Sequence, residues 1–326
     1  MTTRTPRHVA RIAIVTVLLA APLSARAQSH TARTPWGDPD LQGLWTNATL
    51  TPVERSDSMT DKTVLTAEEA AAFEVQSAAS RAASDTFVAG DVGAYNQFWM
   101  DGGKNVTPDR RTALIVDPPD GRIPWTTAGR ERLASDLARY GVGPFDSYDD
   151  ADTGERCLTD GLPFVPLQGY NMNYQILQAP GWVAILSEMF HDFRMIPVDG
   201  REHVPSQVGQ MLGDARGRWD GDTLVVETTS FADKSDFLWR ATWRAARPSL
   251  HLVERFTRLD DETIDYQFTI TDPDMFTQPW TAAVPMTTNQ AARGVTAGPI
   301  YEYACHEGNY GLLNMMRGAR TEELTR

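Results

Sequence analysis

The sequence lacks the short motifs that identify the common enzyme classes. It contains no G-x-S-x-G, which excludes the nucleophile elbow of α/β-hydrolases. It contains no P-loop and no G-x-G-x-x-G, which argues against the use of ATP or a dinucleotide. H-E-x-x-H and C-x-x-C are also missing, and with them the usual zinc frameworks. The sequence therefore predicts no cofactor and no metal site, although His191, His251 and His306 could still share a metal if the fold brought them together.

Cysteine is scarce, with only Cys157 and Cys305 in 326 residues. In an exported protein an even pair of cysteines most simply forms a disulfide. A bridge between them would close a loop with a sequence separation of 148. In the chain-entropy description, closing such a loop contributes at most about 5 kcal/mol to the stability of the fold. The alternative is a pair of reduced thiols, one of them catalytic.

An apolar run long enough to cross a membrane is absent, and the short run that exists lies near the start. Arg4, Arg7 and Arg11 precede an apolar segment at residues 12–23, and an A-x-A pattern ends at Ala27. This order is typical of a secretory signal peptide over residues 1–27 and is too short for a span. We therefore expect a periplasmic or secreted protein with no stable membrane insertion once the signal is removed.

Positive charge is in deficit. The formal net charge is −13, and it becomes −17 without the four arginines of residues 1–27, a segment that holds no acids. A strongly acidic chain repels phosphate groups, so nucleic acid and anionic membrane surfaces are disfavoured as partners.

Helical patterns are confined to the first half of the chain. Residues 66–84 are rich in alanine and begin with Thr66 and Glu69 in the register of a capping box. Residues 127–140 form the second helical pattern. We predict an N-terminal extension over residues 28–165 that holds these two helices and aromatic-rich loops, a β-domain over 166–311, and a tail over 312–326.

The β-domain is predicted from repeated hairpin patterns. The stretches YQILQAPGWVAILSE, GRWDGDTLVVETTSF and LHLVERFTRLDDETIDYQFTITD each place turn residues between two apolar or alternating runs. About eight such strands lie between residues 172 and 307, with little helical periodicity. Sequential antiparallel strands at this spacing favour a barrel or a sandwich, and eight strands enclose room for one small ligand.

Four stretches also carry a family resemblance: TPWGDPDLQGLWTN, GRWDGDTLVVETTSF, LHLVERFTR and YEYACHEGNYG. With them the chain resembles a large, mostly uncharacterised group of secreted bacterial proteins, over nearly the whole of its mature part. The resemblance implies a lipocalin-like, calycin-type barrel in the C-terminal half and implies no particular activity. The predicted fold is therefore mainly β, an antiparallel eight-stranded lipocalin-like barrel behind the N-terminal extension.

The stretch SEMFHDFRMIP supplies the first candidate catalytic residues, His191, Asp192 and Arg194. If it is extended, His191 shares a face with methionine and phenylalanine, and burial would favour a neutral imidazole that can act as a general base. Asp192 would orient the ring, or Arg194 would polarise the substrate. Alternatively, His191 and Asp192 form a turn at the barrel mouth, or the histidine is purely structural.

Candidate substrate-binding residues are Tyr174, Glu254 and Tyr303. Alternation places Glu254 on one face of LHLVERFTR with Leu250, Leu252 and Phe256. A carboxylate among apolar neighbours is costly unless it is paired. It therefore either forms an ion pair, with Arg194 as one possible partner, or faces a ligand pocket.

The last candidates lie in YEYACHEGNYG, residues 301–311. In a regular strand Cys305 and His306 point to opposite faces, so they are poorly placed as a nucleophile pair. Cys305 is better assigned to a disulfide with Cys157. His306 and Glu307 then become candidate catalytic acids at the rim of the last strand, next to Tyr303.

Three functions remain open. The first is a cofactor-independent enzyme, a lyase, isomerase or hydrolase, that performs acid–base chemistry on a small apolar or aromatic molecule. The second is a non-catalytic periplasmic protein that binds a small hydrophobic or aromatic ligand. The third is a structural envelope protein.

Overall fold

The fold is organised around one antiparallel sheet, in a computed structural model that describes residues 32–84, 102–139, 143, 145–165, 169–232, 242–244, 247–293 and 298–325. Its strands are β1 (Gly43–Thr46), β2 (Ile115–Asp117), β3 (Asn173–Ala179), β4 (Trp182–Ser187), β5 (Phe193–Pro197), β6 (Asp214–Asp220), β7 (Thr223–Thr229), β8 (His251–Arg258), β9 (Thr263–Thr271), β10 (Trp280–Ala283) and β11 (Met286–Thr287). The helices are α1 (Ala67–Ser84), α2 (Thr127–Arg139), α3 (Gln290–Arg293) and α4 (Gly311–Thr325).

The sheet is mainly antiparallel, as predicted, but it is not a closed barrel. Hydrogen bonds connect the strands in the order β5-β4-β3-β1-β11-β9-β8-β7-β6, and among the described residues no ladder joins β5 to β6. The sheet also forks, because β9 pairs with β11 near Ile264 and with β10 near Ile270, and β10 in turn pairs with β2. A barrel requires every strand to have two partners in one ring. The prediction of an eight-stranded lipocalin-like barrel is therefore wrong.

The three predicted hairpins are all present. β3 pairs with β4, β6 with β7, and β8 with β9, each in antiparallel register. The turn between β6 and β7 contains Gly221 at φ +62°, a conformation that glycine adopts without steric cost. Two further strands, β1 and β2, come from the segment that was predicted to be an extension, and β1 lies between β3 and β11.

The two predicted helices are present with nearly the predicted bounds. At the start of α1, the N–H of Glu69 donates to Thr66 Oγ1 (3.2 Å) and the N–H of Thr66 donates to Glu69 Oε2 (2.8 Å). This is the capping box that the sequence indicated. Part of the predicted aromatic-rich loops, with Tyr95, Phe98 and Trp99, lies outside the described residues, and so does the predicted signal peptide.

None of the helices in the described part of the chain combines the length and the apolar character that crossing a bilayer requires.

The segment 301–307 was predicted as the last strand, and this prediction is wrong. The chain there forms turns, in which the N–H of Cys305 donates to the carbonyl of Tyr303 and the N–H of Glu307 to that of Ala304. Short-range hydrogen bonds of this kind use the backbone groups that a ladder would need. The following tail is largely the helix α4.

One face of the sheet packs against a core of large side chains. The largest fully buried ones are aromatic: Trp45, Trp280, Tyr266, Phe256 and Phe268. β9 alternates strictly between buried and half-buried residues, and β8 does so up to Thr257, as strands with one face on a core do.

One ion pair lies inside this core. Arg194 on β5 donates to both carboxylate oxygens of Glu254 on β8, at 3.1 and 2.6 Å, and both side chains are buried. Tyr266 donates its hydroxyl to Glu254 Oε1 at 2.8 Å, and Arg194 also donates to Thr228 Oγ1 at 3.3 Å. The sequence had offered Arg194 as a possible partner of Glu254, and that prediction is confirmed.

The position of the pair shows how strongly the sheet curls. β5 is the first strand of the hydrogen-bonded order and β8 is the seventh, yet their side chains touch. β6, the last strand of the order, also lies close to β5. A Cβ placed on Gly217 of β6 would meet Val198 Cγ1 at 2.6 Å and Ile196 Cγ2 at 3.0 Å. The two edge strands therefore approach each other closely without pairing.

We expect Glu254→Gln to lower the free energy of unfolding by about 3–5 kcal/mol, because it leaves the buried Arg194 without a compensating charge. Urea unfolding at pH 7 measures this difference. The control is Asp220→Asn, which breaks an exposed pair with Arg255 and should cost less than about 1 kcal/mol. Equal costs for the two variants would contradict the importance of the buried pair.

Candidate functional site

The loop between β4 and β5 has a strained backbone. It contains a single 3₁₀ turn, Met189–His191, in which Phe190 has φ +56° and His191 has φ +44°. Residues with a side chain rarely adopt positive φ, and each such residue costs about 1–3 kcal/mol. The turn buries Met189 and Phe190 and exposes His191.

Four other segments converge on this loop, and we call the assembly the turn site. It comprises Glu188, His191 and Asp192 of the loop, Asn173 and Tyr174 of β3, Thr159 and Asp160, Arg244, and Tyr301 and Tyr303 of the C-terminal segment. Direct hydrogen bonds connect most of these residues, and the Tyr174 phenol is near enough to Asp160 to be influenced by its charge.

His191 is oriented by the backbone of Tyr303. Its Nδ1 lies 3.1 Å from the Tyr303 carbonyl oxygen, and the Tyr303 ring packs on Phe190 with a centroid distance of 4.8 Å. A carbonyl only accepts hydrogen bonds, so Nδ1 must carry the proton in this contact. In the neutral ring the lone pair then lies on Nε2, which belongs to an exposed side chain.

Asp192 is an acid of the turn site whose pKa is raised. Burial raises its pKa to about 6, and this effect outweighs two hydrogen bonds that favour the charged form. These bonds come from the Thr159 hydroxyl (2.7 Å) and the Asp160 N–H (3.2 Å), and both end on Oδ2. Asp192 therefore exchanges its proton in a pH range where an ordinary aspartate is fully ionised.

A second acid, Asp160, is held by a buried arginine. Arg244 places two nitrogens at 3.3 Å from Asp160 Oδ2 and donates to the Gly161 carbonyl at 3.0 Å. The Tyr174 phenol is buried beside them, and its pKa is raised, first by burial and then by the Asp160 charge. Arg244 thus offsets part of the negative charge of Asp160, the residue whose N–H donates to Asp192.

Glu188 connects the loop to the C-terminal segment. Its side chain is buried, with Oε1 accepting from the Tyr301 N–H at 3.0 Å and Oε2 from the Asn173 amide at 2.6 Å. The Asn173 carbonyl also accepts from the Glu188 backbone N–H at 2.9 Å. This carboxylate therefore positions Tyr301, and with it the segment that carries Tyr303.

The predicted disulfide between Cys157 and Cys305 is present. It joins the C-terminal segment to the loop that contains Thr159 and Asp160. Asn309 strengthens the junction by donating its amide to Cys157 Sγ at 3.0 Å. The bridge excludes the alternative of a catalytic thiol, because both sulfur atoms are used in it.

The structure does not bring all the predicted site residues together. His191, Asp192, Tyr174 and Tyr303 belong to the turn site. Arg194 and Glu254 are joined in the core and do not face the turn site, because strand β5 turns Arg194 inward and exposes Phe193 and Met195.

The sequence had left two conformations open for His191, and the structure has the turn. His191 is exposed, because the 3₁₀ turn between β4 and β5 replaces the extended strand that would have placed it among methionine and phenylalanine. Two predicted details of this region are wrong. Asp192 does not orient His191, since its Oδ2 accepts from Thr159 and Asp160 instead. His306 and Glu307 are exposed on a turn beside the disulfide, not at the end of a strand.

Sequence reasoning did not select Glu188, Asp160 or Arg244. Glu188 precedes the chosen histidine by three positions, but its partners, Asn173 and Tyr301, are distant in sequence. Asp160 and Arg244 are separated by 84 positions and lie in segments without periodicity. No local pattern could have paired them.

Metal ligation was an open alternative for the histidines. Within the described ranges no group of three or more His, Cys, Asp or Glu side chains is arranged to hold an ion. His251 is instead within 2.6 Å of Glu227, on the neighbouring strand.

Comparison of the chain with protein-family models, with curated proteins and with solved structures found no match. The function must therefore be inferred from the site itself.

We expect the stability of the fold to depend on the ionisation of Asp192. Its folded-state pKa of about 6 lies above the ordinary 3.8, so the folded protein binds the proton more tightly than the unfolded chain does. The stabilisation by this proton is present at pH values below 3.8 and is lost as the pH rises through about 6. The free energy of unfolding of the wild type should therefore fall by about 2–2.5 kcal/mol relative to Asp192→Asn between pH 4 and pH 7.

Urea unfolding of both proteins across this pH range measures the difference, and every other titrating group is common to the two. The amide introduced by Asp192→Asn keeps an oxygen that can accept from Thr159 and Asp160. A difference that stays constant with pH would contradict the raised pKa.

The disulfide should contribute about 2–5 kcal/mol to stability, because it closes a loop with a sequence separation of 148. The double variant Cys157→Ser/Cys305→Ser should lose this amount in urea unfolding. Wild type that has been reduced beforehand is the matched control and should behave like the variant. Two labelled thiols in denatured, unreduced wild type would show that the bridge does not form.

Proposed function

We propose that this protein is a cofactor-independent enzyme that performs acid–base chemistry on a small apolar or aromatic molecule, with the turn site as its catalytic centre. The observation that carries the proposal is the contact between His191 Nδ1 and the Tyr303 carbonyl. It fixes the tautomer of an exposed histidine so that Nε2 offers its lone pair to solvent, and a proton-exchanging carboxyl follows directly in sequence.

In this proposal His191 is the general base. Removal of a substrate proton by Nε2 gives an imidazolium whose Nδ1–H continues to donate to the Tyr303 carbonyl. That hydrogen bond strengthens as the ring gains charge, so it favours the transition state over the ground state. The backbone of Tyr303 takes the orienting role that the sequence had assigned to Asp192.

Asp192 is the proposed proton donor. Its pKa of about 6 lets it hold a proton at mildly acidic pH and release it near neutrality, which suits a catalytic acid better than an ordinary aspartate. The Thr159 hydroxyl and the Asp160 N–H keep Oδ2 in place, and these bonds stabilise the carboxylate that remains after the proton has left. Arg194 has no part in this mechanism, because Glu254 engages it.

The substrate class is inferred from the surroundings of the loop. Phe193 and Met195 follow Asp192 and are about half exposed, and so are Leu158 and Tyr301 on the neighbouring segments. An apolar surface beside ionisable groups favours a small apolar or aromatic molecule with one polar reacting group. Elimination, isomerisation and hydrolysis all need the same pair of proton transfers, so the three reaction classes stay within the proposal.

The compartment is also part of the proposal. A disulfide persists in an oxidising environment, which supports a periplasmic or secreted protein. The acidic net charge supports small molecules rather than nucleic acid as partners.

Turnover of two aromatic probes tests the proposal. 5-Nitrobenzisoxazole opens when a base removes its ring proton, and 4-nitrophenyl acetate is an activated ester. We expect saturable turnover of at least one probe, with kcat/KM reduced 10²- to 10⁴-fold by His191→Ala, the usual contribution of a general base. Asp192→Asn should remove the dependence of kcat on a group that titrates near pH 6.

The matched control is His306→Ala, which removes an exposed imidazole from the adjoining segment and should leave kcat/KM within a factor of two. Rates that rise linearly with substrate, and that fall equally in the His191 and His306 variants, would mean that surface histidines react non-specifically. That result would overturn the proposal.

A further inference from the structure

A cleft that shares no lining residue with the turn site opens between residues 49–54, residues 123–133 and Trp243. It has a volume of about 370 Å³, at the small end of the range for ligand pockets. The lining residues are Thr49, Leu50, Thr51, Pro52, Val53, Glu54, Ile123, Trp125, Leu133 and Trp243. Its walls are thus mostly apolar, with two indoles and a single carboxylate.

The two indoles are held in place by other rings. Trp243 is buried, stacked on Phe268 and in edge contact with Trp280 at 5.1 Å. Trp125 packs on Phe276 with a centroid distance of 5.2 Å. Because these rings are fixed by the core, a ligand would meet a preformed aromatic surface and would not have to order it.

The carboxylate in the cleft has no cationic partner in the part of the chain that the structure describes. Glu54 is half-buried, and its Oε1 accepts from the Ile123 N–H at 2.8 Å. Among the described residues no cationic side chain forms an ion pair with it. The charge of Glu54 therefore faces an apolar cleft with one backbone hydrogen bond for support.

The arginines that adjoin the lining residues Glu54 and Ile123 in sequence have other partners. Arg55 donates to Thr112 Oγ1 at 3.0 Å and to the Asp120 carbonyl at 2.9 Å, and Arg122 pairs with Asp57. A partly buried carboxylate without a counter-ion favours a cation supplied from outside. Indole rings attract the same kind of ligand, since cations bind to aromatic faces.

We propose that this cleft is a binding site for a small organic cation, an ammonium group carried on an aromatic or alkyl body. The ammonium pairs with Glu54, and the hydrocarbon part packs against Trp125, Trp243 and the aliphatic walls. The acidic net charge of the protein raises the local concentration of such ligands. The cleft is thus a candidate location for the alternative function, which is binding of a small ligand without turnover.

Calorimetric titration with three probes of similar shape tests the charge preference. The probes are 2-phenylethylammonium, neutral 2-phenylethanol and anionic phenylacetate, all at pH 7. We expect the ammonium to bind at least tenfold more tightly than the alcohol, and phenylacetate to bind most weakly. Equal affinity for the ammonium and the alcohol, or no binding of the ammonium, would overturn the proposal.

Two variants locate the binding. Glu54→Gln keeps an oxygen for the Ile123 N–H, so it should fold normally and lose the tenfold preference while still binding the alcohol. Trp125→Leu should weaken both ligands. Glu262→Gln, which neutralises an exposed acid in the β8–β9 turn, is the matched control and should change nothing. If Glu54→Gln kept the preference for the ammonium over the alcohol, the ammonium would bind elsewhere. That outcome would not affect the acid–base proposal, because His191 and Asp192 are unchanged in this variant.

Discussion

The ion pair between Arg194 and Glu254 is the interaction on which the rest of the fold depends. It crosses the concave side of the sheet and joins an edge strand to a strand six places away in the hydrogen-bonded order. A buried pair contributes little net stability compared with apolar packing, but an unpaired buried charge is very costly. The sheet is therefore restricted to curvatures that bring these two side chains together. Tyr266 adds to this restriction, because its hydroxyl is satisfied only when Glu254 is in place.

The position of the turn site depends on that ion pair. Asp192 precedes Arg194 by two residues, so the core anchors the end of the loop at which the acid lies. The opposite end is anchored by Glu188, whose backbone bonds to Asn173 and whose carboxylate bonds to Tyr301. Between these anchors, two left-handed residues cost about 2–6 kcal/mol together. Burial of Met189 and Phe190 stabilises the same turn by about 3–6 kcal/mol, which roughly offsets the strain.

The sequence predicted the parts of the fold that local patterns control. Turn residues between alternating runs located three hairpins, and the register of Thr66 and Glu69 located a helix start. Strand alternation placed Glu254 inside, and the cost of burying a lone carboxylate then indicated a basic partner. The same alternation assigned the wrong buried face to β5. The ion pair draws Arg194 into the core, and Phe193 and Met195, which were expected to be buried, are exposed. Hydrophobic pattern assigns the wrong face when one long-range charge pair outweighs two apolar side chains.

Features that depend on distant partners were beyond local patterns. The four residues of β1 are too few for a period to be visible, and the fork at β9 depends on where two later strands end. The turn site has the same character, since Asp160, Arg244 and Tyr301 come from segments that carry no periodicity of their own. Cysteine pairing was the exception, because only two cysteines exist and so only one intramolecular bridge was possible.

The identity of residue 191 supports the proposed functional role of the loop. At φ +44° a glycine would remove the strain, and the exposed His191 ring contributes little burial to offset it. The only described hydrogen bond of the ring is the one from Nδ1 to the Tyr303 carbonyl, and that bond leaves Nε2 directed away from its protein partner. A side chain that strains its backbone, stabilises little and presents a basic nitrogen to solvent supports the proposal that His191 acts in proton transfer.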